Sequence, residues 1–377
     1  MGIKVVNLTK RFEKNVILDN LNLEIPTGSF STILAPTGAG KTTLLRIMAG
    51  IEEPTKGRVY YDDIDVTDLP VQKRKISMVY QEFINYPSLT VYENIASPLR
   101  VSKEKFTKSE IDKRVKKIME ILRIAHKANH IPKECSGGEQ QRIAIGRALI
   151  KEPKFIFLDE PLGNLDYKLR EELRAELKTV FKDFTIISAT PEPIDALSMS
   201  SHVAFLNKGK IEQFGPVDEV YYKPKTVEVG HYFSDPFMNL LNCDLIINNE
   251  QCYLRIGKGD TVILDVQRFR NRLDQGEYII GIRPQDLRVA KGENDTIILE
   301  LKIEFVEAIS STLILGLKYE DKEVICVVNN PDTKYKKGQS IKIYADPDKY
   351  FIFDKKSGKL VMANDKFIST ITEQQKN

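Results

Sequence analysis

The stretch Ala35-Pro36-Thr37-Gly38-Ala39-Gly40-Lys41-Thr42-Thr43 constrains this chain more than any other. It follows Ser31-Thr32-Ile33-Leu34, which reads as a strand, and precedes Leu44-Leu45-Arg46-Ile47-Met48-Ala49, whose apolar spacing reads as a helix. A strand, a glycine-containing loop and Lys-Thr at a helix start together make the context of a phosphate-binding loop. Gly38 and Gly40 let the backbone turn tightly, so that its N–H groups converge on an anion. The helix N-terminus adds partial positive charge. Lys41 is placed to reach β- and γ-phosphates, and the Thr42 hydroxyl to ligate Mg²⁺. An ordinary strand-to-helix turn would explain the glycines but not Lys-Thr at that step. Ala35 stands where the pattern G-x-x-x-x-G-K-[ST] has its first glycine, and a methyl is tolerated there if φ is negative.

The remaining composition sets limits. A chain of 377 residues exceeds the usual size of one domain. With 42% apolar and 29% charged residues it reads as a soluble globular protein. A net charge of +3 gives no reason to invoke nucleic acid. No run approaches the roughly 18 apolar residues of a membrane span, and the start, broken by Lys4, Asn7 and Lys10-Arg11, does not read as a signal peptide. Cys135, Cys243, Cys252 and Cys326 lack metal-ligand spacing and read as reduced thiols.

Along the chain, residues 3–25 alternate as antiparallel strands. Phe12 lies between them, and its spacing fits either stacking on an adenine or simple packing. Arg58–Tyr61 reads as a strand, and Ile76–Tyr80 as another that ends in Gln81. Residues 88 to about 150 read as mostly helical, with Ser109–Leu122 at helical spacing and its Lys and Arg on a solvated face. Ser136-Gly137-Gly138-Glu139 opens a further helix, a second arrangement suited to an anion. Phe155-Ile156-Phe157-Leu158-Asp159-Glu160 is a continuous apolar run ending in two acids, which predicts a buried parallel strand with its carboxyl end at a site. Asp159 suits Mg²⁺ and Glu160 the polarisation of an attacking water. Gly163–Asp166 reads as a tight loop, 167–182 as a helix and Thr185–Thr190 as another buried strand, running into Pro191-Glu192-Pro193. From Pro236 onward the pattern becomes short strands: Tyr253–Ile256, Thr261–Leu264, Tyr278–Ile282, Ile297–Phe305, Leu313–Leu317, Val324–Val328 and Ile341–Tyr344. That spacing predicts small β-barrels of the OB type, and Asp365–Asn377 reads as a polar tail.

Taken together and in order, these motifs resemble the ATP-binding subunits of ABC transporters, in the sugar-importer (maltose-type) group. The loop at 35–43 resembles Walker A, and Gln81 stands at the Q-loop glutamine. Cys135–Gln140 resembles the LSGGQ signature, with Cys for Leu and Glu139 for Gln. Residues 155–160 resemble Walker B with its catalytic glutamate, Gly163–Asp166 the D-loop, Phe12 the adenine-stacking aromatic, and Gly281-Ile282-Arg283-Pro284-Gln285 the G-I-R-P-E of the family's OB-like domain. The stretch Pro87–Ile95 resembles the segment after the Q-loop. One motif departs: Pro191 stands where the family carries the histidine of Thr-His-Asp.

The resemblance implies an α/β P-loop ATPase domain at 1–235 with a helical subdomain at about 83–150. An all-β OB-like regulatory domain at 236–365 and the tail at 366–377 would follow. It implies ATP and Mg²⁺ as cofactors. Thr37, Gly38, Ala39, Gly40, Lys41, Thr42 and Thr43 would cradle phosphates, and Thr42, Gln81 and Asp159 would hold the metal. Glu160 and Gln81 would serve hydrolysis. Ser136, Gly137, Gly138 and Glu139 would reach the nucleotide of a partner ATPase subunit packed head to tail. The partners implied are transmembrane permeases, a second ATPase subunit (of the same or, with Pro191, an unlike kind) and, indirectly, an extracellular solute-binding protein. The implied place is the cytoplasmic face of the membrane. A non-transport, ATP-gated regulatory protein is the alternative, and the C-terminal barrels speak against it.

Overall fold

The computed structural model describes the chain except residues 1, 248–251, 258–259, 265–272, 294–296, 310, 330–333, 347 and 364–377, so the expected polar tail lies outside the described residues. The chain forms two compact units, Met1–Val217 and Asp218–Asn377.

The first unit begins with β1 (Gly2–Phe12) and β2 (Asn15–Pro26), an antiparallel pair in which Ile3 faces Ile25 and Phe12 faces Asn15. Alternation puts Ile3, Val5, Leu8, Leu21 and Leu23 inside and Lys4 outside. Next come β3 (Phe30–Leu34), α1 (Lys41–Ala49), β4 (Lys56–Tyr61) and β5 (Ile64–Asp65). Strands β2-β1-β4-β5 make one sheet. Leu44, Leu45, Ile47 and Met48 of α1 share a core with Ile3, Leu21 and Val59 of that sheet and with Ile33 of β3.

The second sheet uses β3, β6 (Ile76–Val79) and four later strands: β7 (Phe155–Asp159), β8 (Thr185–Thr190), β9 (His202–Asn207) and β10 (Lys210–Pro216). Its order is β10-β9-β3-β8-β7-β6. All neighbours are parallel except β9 and β10. Every residue of β7 and β8 is buried, as continuous apolar runs in a parallel sheet require. The order makes β3, β8, β7 and β6 consecutive neighbours. Their carboxyl ends carry, in turn, the loop at 35–40, Thr190, Asp159-Glu160 and Gln81. Ligand crevices of open α/β sheets lie at such ends.

Between β6 and β7 the chain forms α2 (Val91–Arg100), α3 (Lys108–Ile121) and α4 (Gly137–Leu149). Each starts at a capping box: Thr90 with Glu93, Thr107 with Glu110, and Ser136 with Glu139. Ile95, Val115, Met119, Ile143 and Leu149 form a core with Ile156, Leu158 and Ile186 on one face of the sheet. Asn94, fully buried, folds the preceding loop by donating to Tyr86 O, Leu89 O and Thr90 O at 2.9–3.0 Å. Helix α5 (Tyr167–Val180) starts at Asp166, whose carboxylate accepts from Leu169 N at 3.0 Å, and α6 (Pro193–Met199) has proline at its first position.

The second unit holds the short helices α7 (Val217–Tyr222, of which only Asp218 onward belongs here) and α8 (Val227–Tyr232), then strands β11 (Asn239–Ile247) to β21 (Leu360–Met362). They form a six-stranded sheet from Asn239–Ile247, Cys252–Ile256, Asp260–Leu264, Gly276–Ile282, Tyr350–Asp354 and Leu360–Met362, and a five-stranded sheet from the rest. Leu241, Leu254 and Ile280 of the first sheet and Leu299, Leu317 and Ile343 of the second lie in one core, as in an OB-like barrel. Arg283 of the Gly281–Gln285 run is buried, its guanidinium 3.6 Å from the Tyr221 ring and 4.8 Å from that of Phe351. Strands β11, Leu287–Arg288, β20 (Tyr350–Asp354) and β21, and both short helices, go beyond what the sequence pattern predicts.

Candidate functional site

The loop between β3 and α1 takes its shape from two left-handed residues, Gly38 at φ +81° and Gly40 at φ +100°. A side chain at Gly40 would also meet Ile17 Cγ2 at 2.9 Å, so β2 presses directly on the loop. Ala35 is fully buried, its φ is not positive, and its N–H donates to Thr190 O at 3.4 Å. The methyl in place of the first glycine is therefore accommodated. Thr37, Ala39 and Thr43 lie in this loop and the first helical turn.

Lys41 is 3% exposed and is held inside the loop, donating to Pro36 O at 3.1 Å with its ammonium 3.6 Å from Glu160 Oε1. Burial lowers its pKa, and the Glu160 carboxylate opposes that shift. Thr42 Oγ1 donates to Asp159 Oδ1 at 2.8 Å. Burial raises the Asp159 pKa, while the Thr42 hydroxyl and the charges of Arg46 and Lys41 pull it down. A desolvated carboxylate beside a hydroxyl is a hard-oxygen donor pair that suits Mg²⁺, a cation commonly held by one or two protein oxygens together with substrate phosphates. Glu160 adopts φ +45°, and its N–H donates to Ala189 O at 2.9 Å. A non-glycine residue in this region costs about 1–3 kcal/mol, a strain that collects at functional sites.

The buried carboxylate has a consequence for stability. Asp159 in the folded protein titrates above its unfolded value, so its charged form destabilises the fold above that range. The penalty shrinks as pH falls through the folded pKa and is gone only below the unfolded value of about 4, where the carboxyl is neutral in both states. Asp159→Asn therefore raises the melting temperature of the nucleotide-free protein at pH 7, and the gain closes as pH falls. Melting curves of both proteins at several pH values check this, and a gain that persists unchanged at low pH contradicts it.

Gln81 follows β6 and is exposed, its carbonyl accepting from Asn164 Nδ2 at 2.8 Å. Phe12 lies at the end of β1, at the turn of the hairpin whose Ile17 flanks Gly40. It is 46% exposed, with Lys10 Nζ 4.8 Å from its ring centre. The Ser136–Glu139 segment makes its contacts elsewhere. Ser136 Oγ accepts from Glu139 N at 3.3 Å, and Glu139 Oε2 accepts from Ser136 N at 2.7 Å. A Cβ at Gly138 would meet Leu169 of α5 at 2.7 Å. Among the described residues no hydrogen bond or ion pair joins 136–139 to 35–43. The chain thus brings together Lys41, Thr42, Asp159 and Glu160, and leaves the second anion-suited segment elsewhere.

After β8, the Thr190 hydroxyl accepts from Glu192 N at 3.1 Å, and Pro191 begins the turn into α6. Sequence reasoning did not single out Arg174 and Asp195. Arg174 donates to Asp195 Oδ1 through Nε at 3.0 Å and through a terminal nitrogen at 2.8 Å. The partners lie 21 positions apart, and no local pattern links them.

Comparisons with known proteins agree with this geometry. Residues 18–163 match the family described as ABC transporter. The chain is 35% identical over 379 residues to the trehalose/maltose import ATP-binding protein MalK of Thermococcus litoralis, covering 96% of this chain and 99% of that one. It is 36% identical over 365 residues to the glucose import ATP-binding protein GlcV of Saccharolobus solfataricus, with coverages of 94% and 99%. The solved dimeric structure of a bacterial ABC transporter cassette matches with a TM-score of 0.52 at 33% identity, covering 57% of this chain and 98% of that one. With nearly its whole length matched and the phosphate loop, strand-end acids and parallel sheet in place, this chain belongs to the ABC transporter family, among the ATP-hydrolysing subunits of its sugar-import group.

Proposed function

We propose that this protein binds Mg-ATP at the 35–43 loop and uses its hydrolysis to drive import of a sugar or related solute through membrane permeases. The observation that carries the reading is the meeting of four groups at neighbouring strand ends, with Lys41 3.6 Å from Glu160 and Thr42 2.8 Å from Asp159. Lys41 moves its ammonium from Glu160 to the β- and γ-phosphates, which frees that carboxylate. Glu160 then accepts a proton from the attacking water as the bond between the γ-phosphorus and the β-bridging oxygen breaks, leaving ADP and phosphate. Bound Mg²⁺ would neutralise charge on the phosphates. Thr42 and Asp159 would hold it, with Gln81 at the edge of the same site. Phe12 would stack on the base.

Two ATPase subunits pair head to tail in this reading. Ser136, Gly137, Gly138 and Glu139 of one complete the phosphate site of the other, which agrees with their making no hydrogen bond or ion pair, among the described residues, to the loop of their own chain. Closure driven by ATP is a ligand-biased two-state change, and the 83–135 region would pass it to the permeases. Pro191 leaves the site without a side chain that donates to the γ-phosphate from that position. One preorganised donor is worth about 10²–10³ in rate, so the chain's own site is slow, and its 136–139 segment can serve a competent partner subunit.

Among the described residues no helix is long and apolar enough to cross a membrane. The protein is therefore expected to sediment with membranes only when its permeases are co-expressed. Fractionation with and without them checks this, and stable membrane association without any permease contradicts it.

A further inference from the structure

Helix α5 carries Arg170 and Arg174 one turn apart, hence on one face. Both reach the segment after β8. Arg170 lies 3.6 Å from Glu192 Oε1 and donates to Gly163 O at 3.4 Å, in the loop that leads into α5. Arg174 donates twice to Asp195 Oδ1, and Asp195 is 4% exposed. Asp195 Oδ2 in turn accepts from the Thr190 hydroxyl at 3.4 Å.

Thr190 and Ala189 are the residues on which the nucleotide site hangs. Thr190 O accepts from Ala35 N, where the phosphate loop begins, and Ala189 O accepts from Glu160 N. Glu160 sits there in a left-handed conformation that its surroundings must hold. A buried carboxylate is costly unless paired, and Asp195 spends its pairing on the strand end that orients both the phosphate loop and the proposed base.

We propose that Arg174 and Asp195 are positioning residues for ATP hydrolysis: their ion pair holds the end of β8, and through it Glu160 and the start of the phosphate loop, in register with α5. This rests on the ATPase reading above. Among the described residues no hydrogen bond or ion pair joins either side chain to Lys41, Thr42, Asp159 or Glu160. Their loss is expected to lower the rate of the chemical step more than nucleotide affinity.

The test is single-turnover hydrolysis of radiolabelled Mg-ATP by excess full-length protein, with ATP affinity and melting temperature measured on the same samples. Asp195→Asn and Arg174→Gln should each slow hydrolysis about tenfold, as small misplacements of reacting groups do, with affinity within about twofold of wild type. The double variant should be little slower than either single one, because the two act as one unit. Asp195→Glu, which restores the carboxylate, should recover part of the rate. Arg123→Gln removes an exposed pair to Glu176 of the same helix and should leave the rate unchanged. Should Arg174→Gln fail to fold, Asp195→Asn and Asp195→Glu still decide the matter. Lowered melting temperatures with wild-type rates would overturn the proposal, as would equal losses of rate and affinity. Absence of hydrolysis by the unmutated protein, both alone and mixed with a related subunit, would overturn the ATPase reading itself and the positioning role with it, an outcome visible before any variant is made.

Discussion

Lys41→Ala weakens Mg-ATP binding about 100-fold or more, since each charge-assisted hydrogen bond to a phosphate is worth about 1.5–3 kcal/mol and a lysine at this place can make two. The nucleotide-free protein keeps its fold, because the substitution removes a cation whose burial already disfavours its charge. The 35–40 loop keeps its shape through Gly38 and Gly40 rather than through the lysine. Lys41→Arg should bind poorly as well. The pocket is closed around an ammonium that donates to Pro36 O at 3.1 Å, and a planar guanidinium is larger and differently directed. Calorimetric titration of wild type and both variants at fixed Mg²⁺ and pH checks this. Equal affinities for wild type and Lys41→Ala would remove the phosphate loop from nucleotide binding.

Purified alone, the protein should hydrolyse Mg-ATP slowly, about 10²–10³ below a site with one more preorganised donor. In the proposed reading the cause is local to Pro191. Thr190 and Glu192 close a turn through the 3.1 Å bond to the threonine hydroxyl, and Pro193 opens α6. Two prolines hold the backbone between them, so Pro191→His alone should not restore turnover. Mixed with a related subunit whose own site carries the histidine, activity should rise. That activity should then tolerate Glu160→Gln in this chain. It should be lost when Gly137 is replaced, because the 136–139 segment would complete the partner's site. Steady-state ATPase of this protein alone and in the mixture decides between the cases. Fast hydrolysis by this chain alone, abolished by Glu160→Gln, would show that the missing histidine is compensated within the subunit.

The sequence by itself determined the elements whose signals are local. The phosphate loop shows because glycines and Lys-Thr must follow each other in a fixed order. The start of α4 shows as Ser136 with Glu139 three residues on, while the like boxes at Thr90 and Thr107 fall inside the stretches read only as helical. The strands at 155–159 and 185–190 show as unbroken apolar runs because a parallel sheet buries both faces. Elements with weaker local signals were not legible. Tyr350–Phe353 is a buried apolar run too, but it is only four residues long and its place in the sheet is set by pairing with Gly276–Ile282 across some 70 residues of chain. His202–Pro216 became a hairpin at the sheet edge because β3 offers one side for β9 to pair with.

Only the tertiary structure decided which strand ends meet. The order β3-β8-β7-β6 brings Thr42 to Asp159 and Lys41 to Glu160, more than a hundred positions away in each case. It also puts Thr190 between the phosphate loop and Glu160, and from there Asp195 and Arg174 enter the site's support. The sequence names the groups able to do chemistry because their types and near neighbours are written in it. Their distances, the burial that shifts Lys41 and Asp159, and the left-handed turn at Glu160 arise from strand pairing between distant segments, and a linear pattern carries no record of such pairing.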